Sequence, residues 1–128
     1  MKLLLDTHAL VWWFDGDHRM PQRVRTLVDA DDASVFVSAA SAWELTTKYR
    51  LGKMPEAAAL VESFFDFIAQ CKFESLPVTV EHGHRAGLLA GAHKDPFDRM
   101  LAAQAIIEDM GLVTADTALA GLGARVVW

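Results

Sequence analysis

In Lys2-Leu3-Leu4-Leu5-Asp6-Thr7-His8 three consecutive leucines run straight into a carboxylate. A strand buried on both faces of a parallel sheet reads as such an unbroken apolar run, and open α/β folds place their ligands beyond the carboxyl ends of the strands. Asp6 therefore stands where a fold of this class does its chemistry. Leu112-Val113-Thr114-Ala115 leads to Asp116 in the same way. Outward from these two runs, Ser34 to Val37, Phe73 to Val78 and Arg125 to Val127 read as further strands beside Lys2 to Leu5 and Leu112 to Thr114. Helical stretches lie between them. Pro21 opens one toward Ala30, and Ser38 to Leu51 forms another, closed by Gly52 as a C-terminal cap. Glu56 to Lys72 and Thr79 to Ala92 read as helices too, and a last one starts at Pro96 and ends near Gly111. Short apolar strands interleaved with helices predict an α/β domain: a mostly parallel sheet flanked by helices on both faces, with right-handed crossovers.

No repeat, linker or low-complexity tract divides the chain, so residues 1–128 are expected to form one domain. At 128 residues and 52% hydrophobic, it is long enough to bury roughly two-thirds of the surface exposed when unfolded. The lone Cys71 can form no intrachain bridge, which suits a reducing cytoplasm. Asp6 and His8 interrupt the apolar start, and neither a signal peptide nor a membrane span is read there. A net charge of −5 argues against broad, non-specific nucleic-acid binding, which calls for a basic surface. It leaves a nuclease open, because clustered metal-binding acids carry negative charge that a cation offsets. Lys48, Arg50, Lys53, Lys94 and Arg99 form a local basic set that could hold a nucleic-acid backbone, although each is also an ordinary solvated helix cation.

Two further acids sit at helix starts. Ser41-Ala42-Trp43-Glu44 fits a capping box, with Glu44 accepting from a backbone N–H; it equally fits a metal-site acid. Asp95-Pro96-Phe97-Asp98 reads as an N-cap, a proline at the first helical position and an acid near the positive end of the helix dipole. Asp95 is assigned the cap. The apolar Met100-Leu101-Ala102-Ala103 that follows packs this helix on the sheet and leaves Asp98 for another task.

Taken in order, Leu3-Leu4-Leu5-Asp6-Thr7-His8, Ser38-Ala39-Ala40-Ser41-Ala42-Trp43-Glu44-Leu45, Asp95-Pro96-Phe97-Asp98-Arg99-Met100-Leu101-Ala102-Ala103-Gln104-Ala105 and Leu112-Val113-Thr114-Ala115-Asp116 resemble a PIN-domain ribonuclease of the VapC toxin type. The likeness spans nearly the whole chain. It implies a five-stranded parallel sheet, the acidic quartet Asp6, Glu44, Asp98 and Asp116, an RNA substrate and a VapB-type antitoxin as partner. A homodimer or a toxin–antitoxin hetero-oligomer is the expected assembly.

Carboxylate oxygens without clustered cysteine or paired histidine favour Mg²⁺ or Mn²⁺ over zinc. Four crowded acids repel unless a cation or protons neutralise them. The expected reaction is metal-assisted hydrolysis of a phosphodiester bond; one-metal and two-metal mechanisms both remain open. Thr7 and Thr114 are candidates to orient the carboxylates, and Ser38 reads as a helix cap. His82 and His84 point to opposite faces of a helix, because two residues rotate by about 200°, and all five histidines are left out of the metal site. His8 and His93 lie near the acids in sequence and are candidates to touch RNA.

Trp12, Trp13 and Phe14 follow the first acid, and Phe64, Phe65 and Phe67 share another helix. Adjacent aromatics cannot all face one way, so some are expected to be exposed for a partner such as an amphipathic antitoxin segment. Two readings from other classes stand beside the nuclease. One is a non-catalytic binding module; the other is a phosphatase with an aspartyl nucleophile, which would place a second Asp where His8 stands.

Overall fold

The leucines of the opening run divide between two cores. Leu3 and Leu5 point into a cluster with Leu10, Val24, Leu45 and Ile68, whereas Leu4 packs on the opposite side with Leu101, Leu112 and Leu119. This is the two-residue period of a strand in a strand that has no solvent face. The computed structural model describes residues 1–128. Its sheet has the order β3-β2-β1-β4-β5, made of β1 (Lys2–Leu5), β2 (Ser34–Ser38), β3 (Glu74–Leu76), β4 (Gly111–Val113) and β5 (Val126–Val127). Every pairing is parallel. The sheet is thus wholly parallel, the limiting form of the mostly parallel arrangement the sequence predicts.

The seven α-helices are α1 (Thr7–Asp15), α2 (Gln22–Val28), α3 (Ala39–Arg50), α4 (Ala58–Glu62), α5 (Phe64–Gln70), α6 (Val80–Leu88) and α7 (Pro96–Ile107). A short 3-10 turn at Pro55–Ala57 precedes α4, and another at Thr117–Leu122 lies between β4 and β5. Strand order reverses at β1: the chain first builds outward through β2 and β3, then crosses to β4 and β5 on the other side. The crevice beyond the carboxyl ends of β1 and β4 is the switch point at which open α/β sheets bind ligands. In register, Leu5 lies beside Val37 on one side and Val113 on the other, so Asp6 emerges between the ends of β2 and β4.

Three sequence expectations are adjusted. The helix expected over Glu56 to Lys72 is broken at Ser63, whose φ of −105° and ψ of 17° leave the helical region. Its hydroxyl donates to the Ala59 carbonyl, the local competition by which serine bends helices, and the two halves wrap Leu60 and Phe64 onto the core. The strand expected over Phe73 to Val78 keeps only Glu74–Leu76. The helix expected to reach Ala92 stops at Leu88, because Leu89 takes an extended ψ of 129° and Gly91 turns at φ +124°. A connector over residues 89–95 results, and it matters below.

Trp12, Trp13 and Phe14 are half-buried instead of exposed. Trp12 packs on Trp128 with ring centroids 5.7 Å apart, Trp13 on Phe73 and Phe14 edge-on to Phe67. Helix α1 is flanked on both sides by the chain's own aromatics, which is why neighbouring rings on it find cover. The second aromatic cluster does leave a ring open, Phe65 at 83% exposed, and Trp43 on α3 is 66% exposed. No helix is long and apolar enough to cross a membrane.

Candidate functional site

Asp6 leaves β1 as the N-cap of α1, its Oδ1 accepting from the Ala9 N–H at 2.7 Å. Only 7% of the residue is exposed. Burial pushes its carboxyl up to about 6, against the pull of the Thr114 hydroxyl, the Ala9 N–H and the charge of His8, and with a further push from Asp98. Desolvation of a carboxylate disfavours its charge, so Asp6 is held at a cost that an adjacent cation would relieve.

Glu44 approaches from α3. The capping-box reading for Ser41 and Glu44 is not what the chain does: β2 runs directly into α3, Ser38 is the N-cap, and its side chain accepts from the Ala40 N–H. Ser41 then falls inside the first turn, buried, and Glu44 lies one and a half turns in, free of any capping duty. Its Oε1 accepts from the Thr7 hydroxyl at 2.5 Å and its Oε2 from the Lys48 ammonium. Lys48 is the residue one turn on, the i,i+4 spacing that pairs Glu with Lys on a helix. Partial burial works against the Lys48 charge, but the bond to Glu44 prevails and its pKa lies above the ordinary value.

Asp98 lies in the first turn of α7, and Asp95 caps that helix as predicted, accepting from the Phe97 and Asp98 N–H groups at 2.9 and 3.1 Å. Asp98 faces His93, Nε2 to Oδ2 at 2.8 Å. Burial raises the Asp98 carboxyl above the usual range; the His93 bond lowers it, and the charges of Asp95 and Glu44 raise it again. Asp116 follows β4, where its N–H donates to the Thr114 hydroxyl at 3.0 Å and its Oδ1 caps the 3-10 turn through Ala118. It stays exposed. Asp98 acts electrostatically on Asp6, Glu44 acts on Asp98, and Asp116 reaches the same His93 as Asp98. Thr7, next in the chain to Asp6, ties Glu44 to the first acid, and His93 brings Asp98 and Asp116 together.

The meeting brings in a residue that the sequence reading left outside. Ligand atoms of His93, Asp98 and Asp116 all lie within 4.8 Å of one another. His93 sits on the connector over residues 89–95, and its only sequence signal is that it precedes the Asp95 cap by two residues. The set of donors, carboxylate oxygens with one imidazole and no thiolate, fits a hard or borderline divalent cation. Cys71 lies away from it, at the end of α5. His82 and His84 part as expected: His82 is buried, accepting from the Thr79 N–H in a capping box, while His84 is exposed. Arg99, one of the basic candidates, is committed elsewhere: its guanidinium donates to the carbonyls of Ala86, Leu89 and His93. A second polar feature not foreseen is Gln104, fully buried on α7. It accepts from the Ser38 hydroxyl at 2.6 Å and donates to the Pro77 carbonyl at 3.2 Å, tying α7 to the ends of β2 and β3.

Residues 3–124 match the PIN domain family. The chain belongs to the PIN-domain family. A curated relative, Ribonuclease VapC16 of Mycobacterium tuberculosis, is 34% identical over 76 residues, which make up 54% of this chain and 52% of that protein. The chain thus spans about half the length of the curated relative it matches. Among solved structures, VapBC2 from Rickettsia felis bound to a DNA fragment from its promoter superposes with a TM-score of 0.72 at 16% identity, covering 100% of this chain and 98% of that one. FitAB bound to an IR36 DNA fragment gives 0.71 at 20% identity, with 98% and 93% covered. At those identities the likeness carries the PIN fold, the same five-stranded architecture that places the acids here.

Proposed function

We propose that this PIN-domain protein is a divalent-metal-dependent endoribonuclease, the toxin of a toxin–antitoxin pair, silenced by a VapB-type antitoxin. The observation that carries the reading is the almost wholly buried carboxylate of Asp6 at the β1/β4 switch point, with the buried Glu44 tied to the adjoining Thr7 and with Asp98 and Asp116 clustered around His93. The VapC16 name of the relative supports ribonuclease activity, and the VapBC and FitAB names of the structural neighbours support an antitoxin partner.

In this reading the four acids hold Mg²⁺ or Mn²⁺. The bound ion supplies a charge that polarises a phosphate oxygen and makes water a better nucleophile near neutral pH. The chain's own part is placement. Thr7 and Lys48 fix the two oxygens of Glu44, the Ala9 N–H fixes Asp6, and the Asp95 cap fixes the turn that carries Asp98. Rigid carboxylates of this kind lose little on binding, the benefit of preorganisation. Lys48 also offsets part of the negative charge that a phosphate backbone would otherwise meet. The phosphatase alternative gains nothing from the geometry, since the position two beyond Asp6 holds His8, an exposed side chain tilted against Trp12.

The deciding experiment is cleavage of a structured RNA by the purified protein in Mg²⁺, in Mn²⁺ and in chelator, beside Asp6→Asn. Cleavage that needs the ion and disappears in a folded Asp6→Asn protein supports the proposal; an Asp6→Asn protein as active as wild type overturns it.

A further inference from the structure

The one side-chain partner of His93 is an acid of the site, Asp98. The histidine belongs to no helix or strand, it lies on the connector over residues 89–95, and its Nε2 points at Asp98 Oδ2 from 2.8 Å. The connector itself is held with unusual care. Arg99 spends its guanidinium on three carbonyls, Ala86 at 3.0 Å, Leu89 at 2.5 Å and His93 at 2.9 Å. The first two belong to the last turn and the end of α6, whose carbonyls have no helical partner; the third is the backbone of His93 itself. One planar fork of donors therefore ties the end of α6, the connector and the first turn of α7 into a unit, from which the His93 imidazole and the Asp98 carboxylate meet side by side. Gly91 makes the turn within it, where a Cβ would come to 3.0 Å from Leu122 and φ is +124°.

Resting on the reading that the acids hold a divalent cation, we infer that His93 is a ligand of that ion through Nε2, beside Asp98 and Asp116, so that the site is a mixed nitrogen and oxygen site. The three ligand atoms lie within 4.8 Å of one another; donors about 2.0 to 2.2 Å from a shared transition ion stand at most about 4.4 Å apart, so side-chain adjustments of a few tenths of an ångström bring all three onto one ion. Arg99 is the positioning residue that keeps the imidazole there.

The chemistry of the ion follows from the donor. An all-carboxylate set suits Mg²⁺ and Mn²⁺ alike, whereas an imidazole nitrogen favours a transition ion over Mg²⁺. The site is thus biased toward Mn²⁺ and its neighbours in the first transition row. His8 is the other histidine near the acids, close enough for its charge to act on Asp6, but its ring lies tilted against Trp12, centroids 5.9 Å apart, and it is exposed. It serves as the control.

The test uses the full chain with Mn²⁺ alone and reads pulsed electron paramagnetic resonance of the bound ion, with and without ¹⁵N-labelled histidine. The expected spectrum carries the coupling of a directly bonded imidazole nitrogen, changes on labelling, survives in His8→Gln and vanishes in His93→Gln. Mn²⁺ affinity should fall about tenfold or more in His93→Gln, a loss already seen when a residue that only orients a metal ligand is removed, while Mg²⁺ affinity falls less. Arg99→Lys keeps the charge without the fork and is expected to reduce the coupled fraction with far-ultraviolet circular dichroism unchanged. Mn²⁺ that binds and supports RNA cleavage with no nitrogen coupling overturns this inference and leaves the nuclease reading standing. Coupling that persists in His93→Gln overturns it likewise. Failure of Mn²⁺ to bind at all overturns both.

Discussion

The Thr7 hydroxyl donates to Glu44 Oε1 across 2.5 Å, joining two residues 37 apart in sequence, the first of α1 and one in the middle of α3. Both are buried. This bond is a direct physical link between the start of α1, which Asp6 caps, and the helix that carries Glu44.

Thr7→Val keeps the shape of the side chain and removes the donor. A buried charged oxygen left without its partner costs about 1–3 kcal/mol, so the variant should unfold at lower urea than wild type in chelator, and Thr7→Ser should recover most of the loss. Equal midpoints for Thr7→Ser and Thr7→Val would show that the hydroxyl carries no weight.

Glu44→Gln preserves an acceptor for Thr7 and removes the charge. A folded protein whose ion-dependent cleavage falls by about two to three orders of magnitude is expected, the range for taking one electrostatic contributor out of a preorganised site. Cleavage assays beside circular dichroism decide it, and wild-type activity would remove Glu44 from the site.

Asp6 makes stability depend on pH in the metal-free protein. Its carboxyl is raised by burial from an ordinary 3.8 to about 6. Between those values the folded state keeps a proton that the unfolded chain has released, so stability is fully present below the lower value and is lost as pH rises through the upper one. A displacement of that size is worth about 3 kcal/mol. Urea unfolding in chelator from pH 4 to 7 should show wild type losing stability relative to Asp6→Asn across this window, with the variant the more stable near neutrality; parallel curves would count against it.

Asp95 and Asp98 share one turn and should separate by function. Asp95→Ala loses the cap at about 1 kcal/mol and keeps ion binding, whereas Asp98→Ala loses the ion and cleavage. Titration with Mn²⁺ alongside thermal melting distinguishes them, and the reverse pattern would mean that the wrong acid has been assigned.

Trp43 is the tryptophan that solvent reaches most easily, since Trp12, Trp13 and Trp128 are half-buried. Acrylamide should quench wild-type fluorescence strongly and Trp43→Phe weakly. If the proposed antitoxin covers the rim of the acidic crevice, the wild-type complex should resist quenching as the variant does; unchanged quenching in a complex places the partner elsewhere.

Much of this architecture was legible in the order of residues. The β1 leucines and the run before Asp116 gave two adjacent parallel strands because burial on both faces leaves no other composition, and Pro96 after Asp95 marked α7 because proline fits only its first turn. What escaped was set by tertiary contact. Glu44 looked like a capping residue since Ser41 stands three before it, and only the direct passage of β2 into α3 moves the cap to Ser38. His93 carried no periodic or spacing signal, because a connector held by Arg99 has none to give. The aromatics of α1 looked exposed on helical geometry alone, and their cover comes from Phe67, Phe73 and Trp128, residues brought there by the finished fold.

The order β3-β2-β1-β4-β5 also governs when the acids can meet. Asp6 and Glu44 come early, yet the strand that closes the other side of β1 spans Gly111–Val113, and Asp116 follows it. A growing chain that has reached only α6 holds two of the four carboxylates and one open edge of its central strand. Under the proposed function, the complete acidic set is therefore assembled late in synthesis, only once β4 is in place.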